Sequence, residues 1–465
     1  MLLFEKSGAI VVIISTANLT TQQAVDGSWV QRFQPNPEPD HVSYSAKDNV
    51  DEIREKSDGS DFGFVLSDFL QKQSECAKAS QMLPIQFLRK YVNASFKSLD
   101  DFRRRYQFEN SQVHLVSTVP GVYPGRMSTQ HLNKMPNGSL RVLYGPQRVA
   151  DILQRLGEKN MNSSECETQE QTRLSKPWLP NSMLSNKDRF TMQTTSFGSK
   201  WTSRCFEELV RQYMGRDDPD DLSASDTNMI EKVDIIWPTM DYMDRINAYH
   251  TKMSHGETNF SHFVFFGSDG FNDSEHAILS QMKTYDGNVD PSLTTVPLTP
   301  HIKTYARLLE GENFQGPSSD TNYLAWAMLS SACFSKGAQG HTDKKINAFE
   351  HKDEKSYSNF ELAVLFVSRL QGDTTSDRLY SSYPTSCTCR HGDTDVQKIG
   401  NAFAESNVIG LPFPFKLRSK PYQPDSTESE FCETPFFDKL SMQSVCSGMC
   451  LQTPFGRFVS NSMTK

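Results

Sequence analysis

The chain has 465 residues, 37% of them hydrophobic, and a formal net charge of −8. That length accommodates two to three domains with ample core, and the low apolar fraction points to a folded core carrying long polar insertions. Net acidity excludes a surface that is basic throughout, so any nucleic-acid contact must come from a local basic groove, while nine scattered cysteines exclude a disulfide framework.

Residues 1–17 combine a lysine, an apolar run and a small-residue end, the outline of a secretory signal. The β-branched run Ala9-Ile10-Val11-Val12-Ile13-Ile14, the acidic Glu5 and the polar turn at Ser15–Thr20 favour a core strand instead. The run is too short for a membrane-spanning helix, which needs about 20 apolar residues, and no later stretch qualifies. Gly27–Gln34 alternates as a strand, and residues 35–61 read as an exposed loop. Phe62–Lys72 and Leu83–Val92 have helical apolar spacing. Ser98 is placed to cap a helix with Asp100 and Asp101 in its first turn and Arg103–Arg105 on a solvated face. Val113–Thr118 is an alternating strand in which His114 is structural. It stops at Pro120-Gly121, dividing the chain into domains 1–124 and 125–465.

In the second part, Pro146 opens a helix to Leu156. Residues 158–188 form a polar insertion, Thr191–Ser199 a short strand and turn, and Phe206–Met214 a helix. Residues 216–227 are an acidic, disordered loop. Val233–Pro238 and Phe263–Phe266 are buried strands, and residues 371–400 and 423–465 are again polar. Cys387, Cys389 and His391, or Cys446 and Cys450, match no zinc spacing, so neither a metal nor another cofactor is expected.

Chemistry enters at His301-Ile302-Lys303. On a strand these two polar side chains share a face, setting a proton carrier beside a fixed positive charge, as attack on a phosphate ester requires. Alone, H-x-K equally suits an edge strand with two solvated residues. The apolar Tyr323–Leu329 then runs into Ser330-Ser331-Ala332-Cys333-Phe334-Ser335-Lys336-Gly337, a turn of small residues, hydroxyls and a lysine suited to a phosphate. The start of the chain repeats the device, with Ala9–Ile14 running into Ser15-Thr16-Ala17-Asn18-Leu19-Thr20.

With these paired motifs the chain resembles the tyrosyl-DNA phosphodiesterases, the DNA-repair branch of the phospholipase D superfamily. Ser196-Phe197-Gly198-Ser199, Ser117–Gly121 and Phe360–Phe366 carry the likeness further, and it spans most of residues 1–420. The resemblance implies an α/β fold of two similar halves, each a mixed sheet flanked by helices, whose motifs meet in one cleft. It implies a metal-free hydrolase that cleaves the bond between a DNA 3′ phosphate and a tyrosine of a stalled topoisomerase, in the nucleus, as a monomer. One histidine attacks phosphorus and the other acts as general acid and base. His301 matches the second of these, Lys303 the phosphate-binding lysine and Asn18 the asparagine of the first motif. Ser196, Ser199, Ser335 and Lys336 fall where the family contacts the DNA backbone, and Glu361 where a carboxylate supports a catalytic histidine.

Leu308 stands where lipid-cleaving relatives have an aspartate, which favours the DNA-repair branch over a phospholipase. Two departures matter. Cys333 replaces the second asparagine, and a thiol is a weaker donor than a carboxamide. No H-x-K precedes Asn18, since Met1–Phe4 aligns just downstream of it. The first half is therefore expected to be incomplete, with Ala9–Ile14 left as an exposed sheet edge. The second reading is a non-catalytic protein that binds DNA ends. His250-Thr251-Lys252 and His351-Lys352-Asp353 contain the letters of the motif without its strand or its spacing.

Overall fold

The computed structural model describes residues 1–16 except 7, 24–25, 28–37, 61–76, 84–123 except 112, 143–162, 188–194, 203–215, 232–237, 282–284, 299–300, 303–309, 322–341, 355–367, 379–382, 409–412, 452–453 and 456–457. The β-branched run forms β2 (Ala9–Ser15). It lies between β1 (Leu2–Lys6), antiparallel with Leu2 opposite Ile13, and β4 (Ser28–Phe33), antiparallel with Ile10 opposite Phe33. β2 is thus the centre of a three-stranded sheet. The expectation of an exposed edge there is wrong, because β1 covers it. Between β2 and β4 lies the short β3 (Ala24–Val25).

Three helices follow: α1 (Phe62–Cys76), α2 (Pro84–Tyr91) and α3 (Leu99–Arg105). Ser98 caps α3, its hydroxyl accepting the Asp101 N–H at 3.0 Å, while Asp101 accepts the Lys97 N–H at 2.7 Å. The three arginines are not the solvated face that their clustering suggests. Arg103 and Arg104 both reach Asp100, and Arg105 holds Asp101 at 2.9 Å. Arg103 also lies over the Phe64 ring and Arg105 over Phe96. The acids and bases sit three and four residues apart, which is neighbour spacing on a helix. Beneath these helices Phe33, Phe62, Phe102 and Phe108 form an aromatic core, with Phe33 and Phe108 centred 4.9 Å apart. Gly63 admits that packing, because a Cβ there would meet the Phe108 ring at 2.7 Å.

β5 (His114–Thr118) is buried at all five positions, so it is covered on both faces rather than alternating. β6 (Gly121–Tyr123) and α4 (Gly145–Asn162) come next. α4 carries Pro146 in its first turn and runs past Leu156 into the segment read as an insertion. The remaining elements are β7 (Arg189–Gln193), α5 (Ser203–Tyr213), β8 (Val233–Trp237), β9 (Met282–Thr284), β10 (Thr299–Pro300), β11 (Lys303–Leu308), β12 (Asn322–Ser330), α6 (Lys336–Gln339), β13 (Lys355–Tyr357), β14 (Glu361–Val367), β15 (Leu379–Ser382), β16 (Ile409–Pro412), β17 (Gln452–Thr453) and β18 (Gly456–Arg457). Phe263–Phe266 lies outside the described residues.

One nine-stranded sheet dominates. Its path runs β16-β15-β12-β11-β7-β8-β9. β11 takes one edge of β12. The other edge is shared, with Trp326–Ser330 pairing β14 and Asn322–Leu324 pairing β15. β5 joins antiparallel to β14, so the sheet is continuous across residue 124. The β7–β8, β8–β9 and β15–β16 pairs are parallel and the others antiparallel. The fold is therefore α/β, a large mixed sheet flanked by helices. No helix among the described residues is long and apolar enough to cross a membrane.

Candidate functional site

The site is assembled at one end of β11, β12 and β14. Lys303 opposes Ser330, and Ser330 opposes Ala363. Side chains alternate along each strand. Lys303, Tyr305 and Arg307 therefore share a sheet face with Ser330, with Glu361 and, through β5, with Thr118, which opposes Glu361. Lys303 is only 2% exposed. Its ammonium acts on the Glu361 carboxylate from the same face. Burial pushes the Glu361 carboxyl above the usual carboxylate range, while hydrogen bonds from Ser331 and Asn359 and the Lys303 charge pull partly back.

Ser331 joins the two strands at this end. Its hydroxyl donates to Glu361 Oε2 at 2.5 Å and accepts the Leu362 N–H at 3.0 Å. Its own N–H reaches Leu362 O at 3.0 Å. Asn359 Nδ2 donates to the other oxygen, Glu361 Oε1, at 3.2 Å. Thr118 Oγ1 holds the Asn359 carbonyl at 3.2 Å.

Beyond Ser331 the chain turns through Ala332–Ser335 into α6. Each step is fastened. Tyr305 donates its hydroxyl to Ala332 O at 2.8 Å, and Ala332 N–H reaches Ser330 Oγ at 2.9 Å. Gln339 Nε2 donates to Cys333 O at 2.9 Å. Phe334 N–H reaches Thr194 Oγ1 at 3.0 Å. Ser335 caps α6 by accepting from Ala338 N–H. Cys333, Ser335 and Lys336 are half-buried.

A second pairing bears on the first motif. β3 and β10 run parallel, Ala24 opposite Thr299 and Val25 opposite Pro300. The backbone shortly after Asn18 thus lies against the backbone immediately before His301. Among the residues singled out from sequence, Lys303, Cys333, Ser335, Lys336 and Glu361 gather around the end of β12. His301, Asn18, Ser196 and Ser199 lie outside the described residues, as does His250. Among the described residues no group of three His, Cys, Asp or Glu side chains is placed to hold a metal ion.

Sequence reasoning did not assign Ser331, Asn359, Thr194, Tyr305 or Gln339. Ser331 could have been found, since it lies inside the quoted turn and faces a strand that begins with a carboxylate. Asn359 stands two residues before Glu361, while Thr194, Tyr305 and Gln339 left no signal of their long-range partners. Thr194 meets Phe334 across 140 positions, and Gln339 meets Tyr213 across 126.

A profile of the family described as tyrosyl-DNA phosphodiesterase matches residues 1–423. No curated protein sequence matches the chain. The solved structures similar to it include yeast tyrosyl-DNA phosphodiesterase, 14% identical, with a TM-score of 0.46 over 90% of this chain and 73% of that one. A histidine-to-asparagine mutant of the same yeast enzyme is 13% identical, with a TM-score of 0.48 over 90% and 74%. Since the profile takes in both strand-and-turn motifs and everything between them, the chain belongs to the tyrosyl-DNA phosphodiesterase family of phosphoric diester hydrolases.

Proposed function

We propose that this chain carries the phosphate-binding and proton-transfer half of a phosphodiesterase site for DNA 3′ ends bearing a tyrosine or similar adduct, such as a stalled topoisomerase peptide. The observation that carries the reading is the cluster of buried Lys303, Glu361 and the fastened Ser331–Lys336 turn at the end of one sheet face. A buried lysine supplies a fixed positive charge where water is excluded, and such preorganised charge is what a developing phosphorane needs. The parallel β3–β10 pair supports bringing Asn18 to the same place.

In this reading His301 is the general acid that protonates the leaving tyrosine oxygen and then the base that activates water. Lys303 and Asn18 hold non-bridging oxygens, with Cys333 in the position of a second donor. Ser196, Ser199, Ser335 and Lys336 contact the DNA backbone, and Glu361 orients and charges the proton-transferring group. The enzyme works as a monomer in the nucleus, with residues 1–124 and 125–465 each contributing one motif to the cleft.

The test is cleavage of a 3′-phosphotyrosyl oligonucleotide by a chain carrying a complete first H-x-K. His301→Ala lowers the rate by about 10²–10⁴-fold, the usual contribution of a positioned acid–base group. An unchanged rate overturns the assignment of His301. A second reading, a protein that binds DNA ends without cleaving them, is favoured by Cys333 in place of a carboxamide. It predicts tight binding of the same oligonucleotide with no turnover by any version of the chain.

A further inference from the structure

We infer that Gln339 is a positioning residue: its carboxamide sets the conformation in which the 331–336 turn meets a 3′ phosphate. The inference rests on the phosphodiesterase reading above. Gln339 is the last residue of α6 and is 2% exposed. Its Oε1 accepts the Tyr213 hydroxyl at 2.5 Å. Its Nε2 has two hydrogens and both are used, one to Tyr305 Oη at 3.1 Å and one to Cys333 O at 2.9 Å.

An amide nitrogen only donates and an amide oxygen only accepts, so every proton in the chain of contacts has one direction. Tyr213 donates to Gln339, Gln339 donates to Tyr305, and Tyr305 donates onward to Ala332 O at 2.8 Å. Burial raises both tyrosine hydroxyls well above their ordinary pKa, which keeps them protonated as the chain requires. The carbonyls of Ala332 and Cys333 are thereby drawn into the core as a consecutive pair. The next N–H, of Phe334, is drawn in by Thr194. With these three groups fixed, Ser335 and Lys336 leave the turn in one direction.

The same contacts join the turn to β7 and α5. Thr194 directly follows the last residue of β7, and Tyr213 is the last residue of α5. The end of β7 and the C-terminal end of α5 are therefore tied to the turn, the first directly through Thr194 and the second through Gln339. No apolar side chain at 339 could do this, since it would strand the Tyr213 hydroxyl in the core.

The experiment measures the full chain binding two single-stranded oligonucleotides, one ending in 3′-phosphate and one in 3′-hydroxyl, by fluorescence anisotropy. Gln339→Met keeps volume and removes every polar contact. Tyr305→Phe keeps the ring and removes the link to Ala332, and it serves if the first variant does not fold. Each is expected to lose about tenfold of the preference for the phosphate end, the scale of one charge-assisted hydrogen bond, with less change toward the hydroxyl end. The double variant is expected to lose little more than either single one. Val149→Ala, in the core of α4 and apart from these contacts, is destabilised but keeps the preference. If the wild-type chain discriminates and both variants discriminate equally well, the inference is overturned and the phosphodiesterase reading stands. If the wild-type chain does not distinguish the two ends, that reading fails and takes the inference with it.

Discussion

Glu361 sits between opposing influences. Burial disfavours its charge, while Ser331, Asn359 and Lys303 favour it, and burial prevails. A carboxyl whose folded pKa lies above its unfolded value near 4.5 contributes stability that is fully present at low pH. That stability is lost as pH rises through the folded pKa. Glu361→Gln cannot titrate, so it escapes the loss. The variant is expected to match the wild-type urea midpoint at acid pH and to exceed it at pH values above the folded pKa. A difference that stays constant across the range would show that Glu361 is not held up by burial. Cys333 raises the opposite question of a missing donor. If it faces the phosphate, Cys333→Asn strengthens binding of a 3′-phosphate end by about 10- to 150-fold, the worth of one hydrogen bond to a charged group. No gain would mean that the thiol points elsewhere.

At the scale of elements, two joints hold the site to the rest of the sheet. Arg307 of β11 donates to Asp188 Oδ2 at 2.9 Å and to Met214 O at 3.1 Å, with both side chains of the ion pair almost fully buried. Asp188→Ala leaves a buried guanidinium without its counter-charge and is expected to cost about 3–5 kcal/mol. Asp188→Leu with Arg307→Met should recover much of this, because the charge and its partner leave together. Urea denaturation measures both. The other joint is Gly340, at φ 81°, where a Cβ would stand 2.6 Å from the Tyr357 ring. That ring cannot yield, since its hydroxyl is tied to Tyr144 O at 2.9 Å. Gly340→Ala is expected to destabilise by about 1–3 kcal/mol and to weaken binding of the 3′-phosphate end.

These joints also mark where sequence reading stops. The strands at Ala9–Ser15, Asn322–Ser330 and Glu361–Val367 were legible as β-branched or apolar runs, and α3 as a cap with acids in its first turn. β1 was not legible, because Leu2–Lys6 has no β-branched residue and no alternation. β5 reads as an alternating strand because His114, Ser117 and Thr118 are polar, yet tertiary packing buries all three. The arginine run reads as a solvated face because Asp100 and Asp101 serve equally as acids of the first turn, and their pairing with Arg103–Arg105 shows only in the folded helix. Arg307–Asp188 and the contacts of Gln339 with Tyr305 and Tyr213 join residues 34 to 126 positions apart, and pairing at that range leaves no periodicity to read.

At the scale of the whole molecule the charge balance and the proposed substrate conflict, and salt resolves the conflict. A chain with net charge −8 repels DNA on average, so the proposed function requires phosphate contacts from local groups such as Lys303 and Lys336. Binding to single strands should then weaken with salt, with a slope of about −0.7 per phosphate neutralised. A shallow slope accords with a few contacts in one cleft, and a steep one would require an extended basic surface instead. Cleavage is a separate property. Residues 1–465 contain no H-x-K ahead of Asn18. In the proposed mechanism His301 moves the proton and Lys303 holds the phosphate, and neither serves as the nucleophile. Removing one member of a catalytic unit costs nearly as much as removing all of it, on the order of 10⁴–10⁶ in rate. Residues 1–465 are therefore expected to bind a 3′-phosphotyrosyl oligonucleotide without turning it over. A version extended upstream of Met1 through an H-x-K, whose strand would precede β1, is expected to cleave it. Equal rates from the two would put the nucleophile within residues 1–465, and His250, in the remaining H-x-K with a methionine after it, would become the first histidine to replace with alanine.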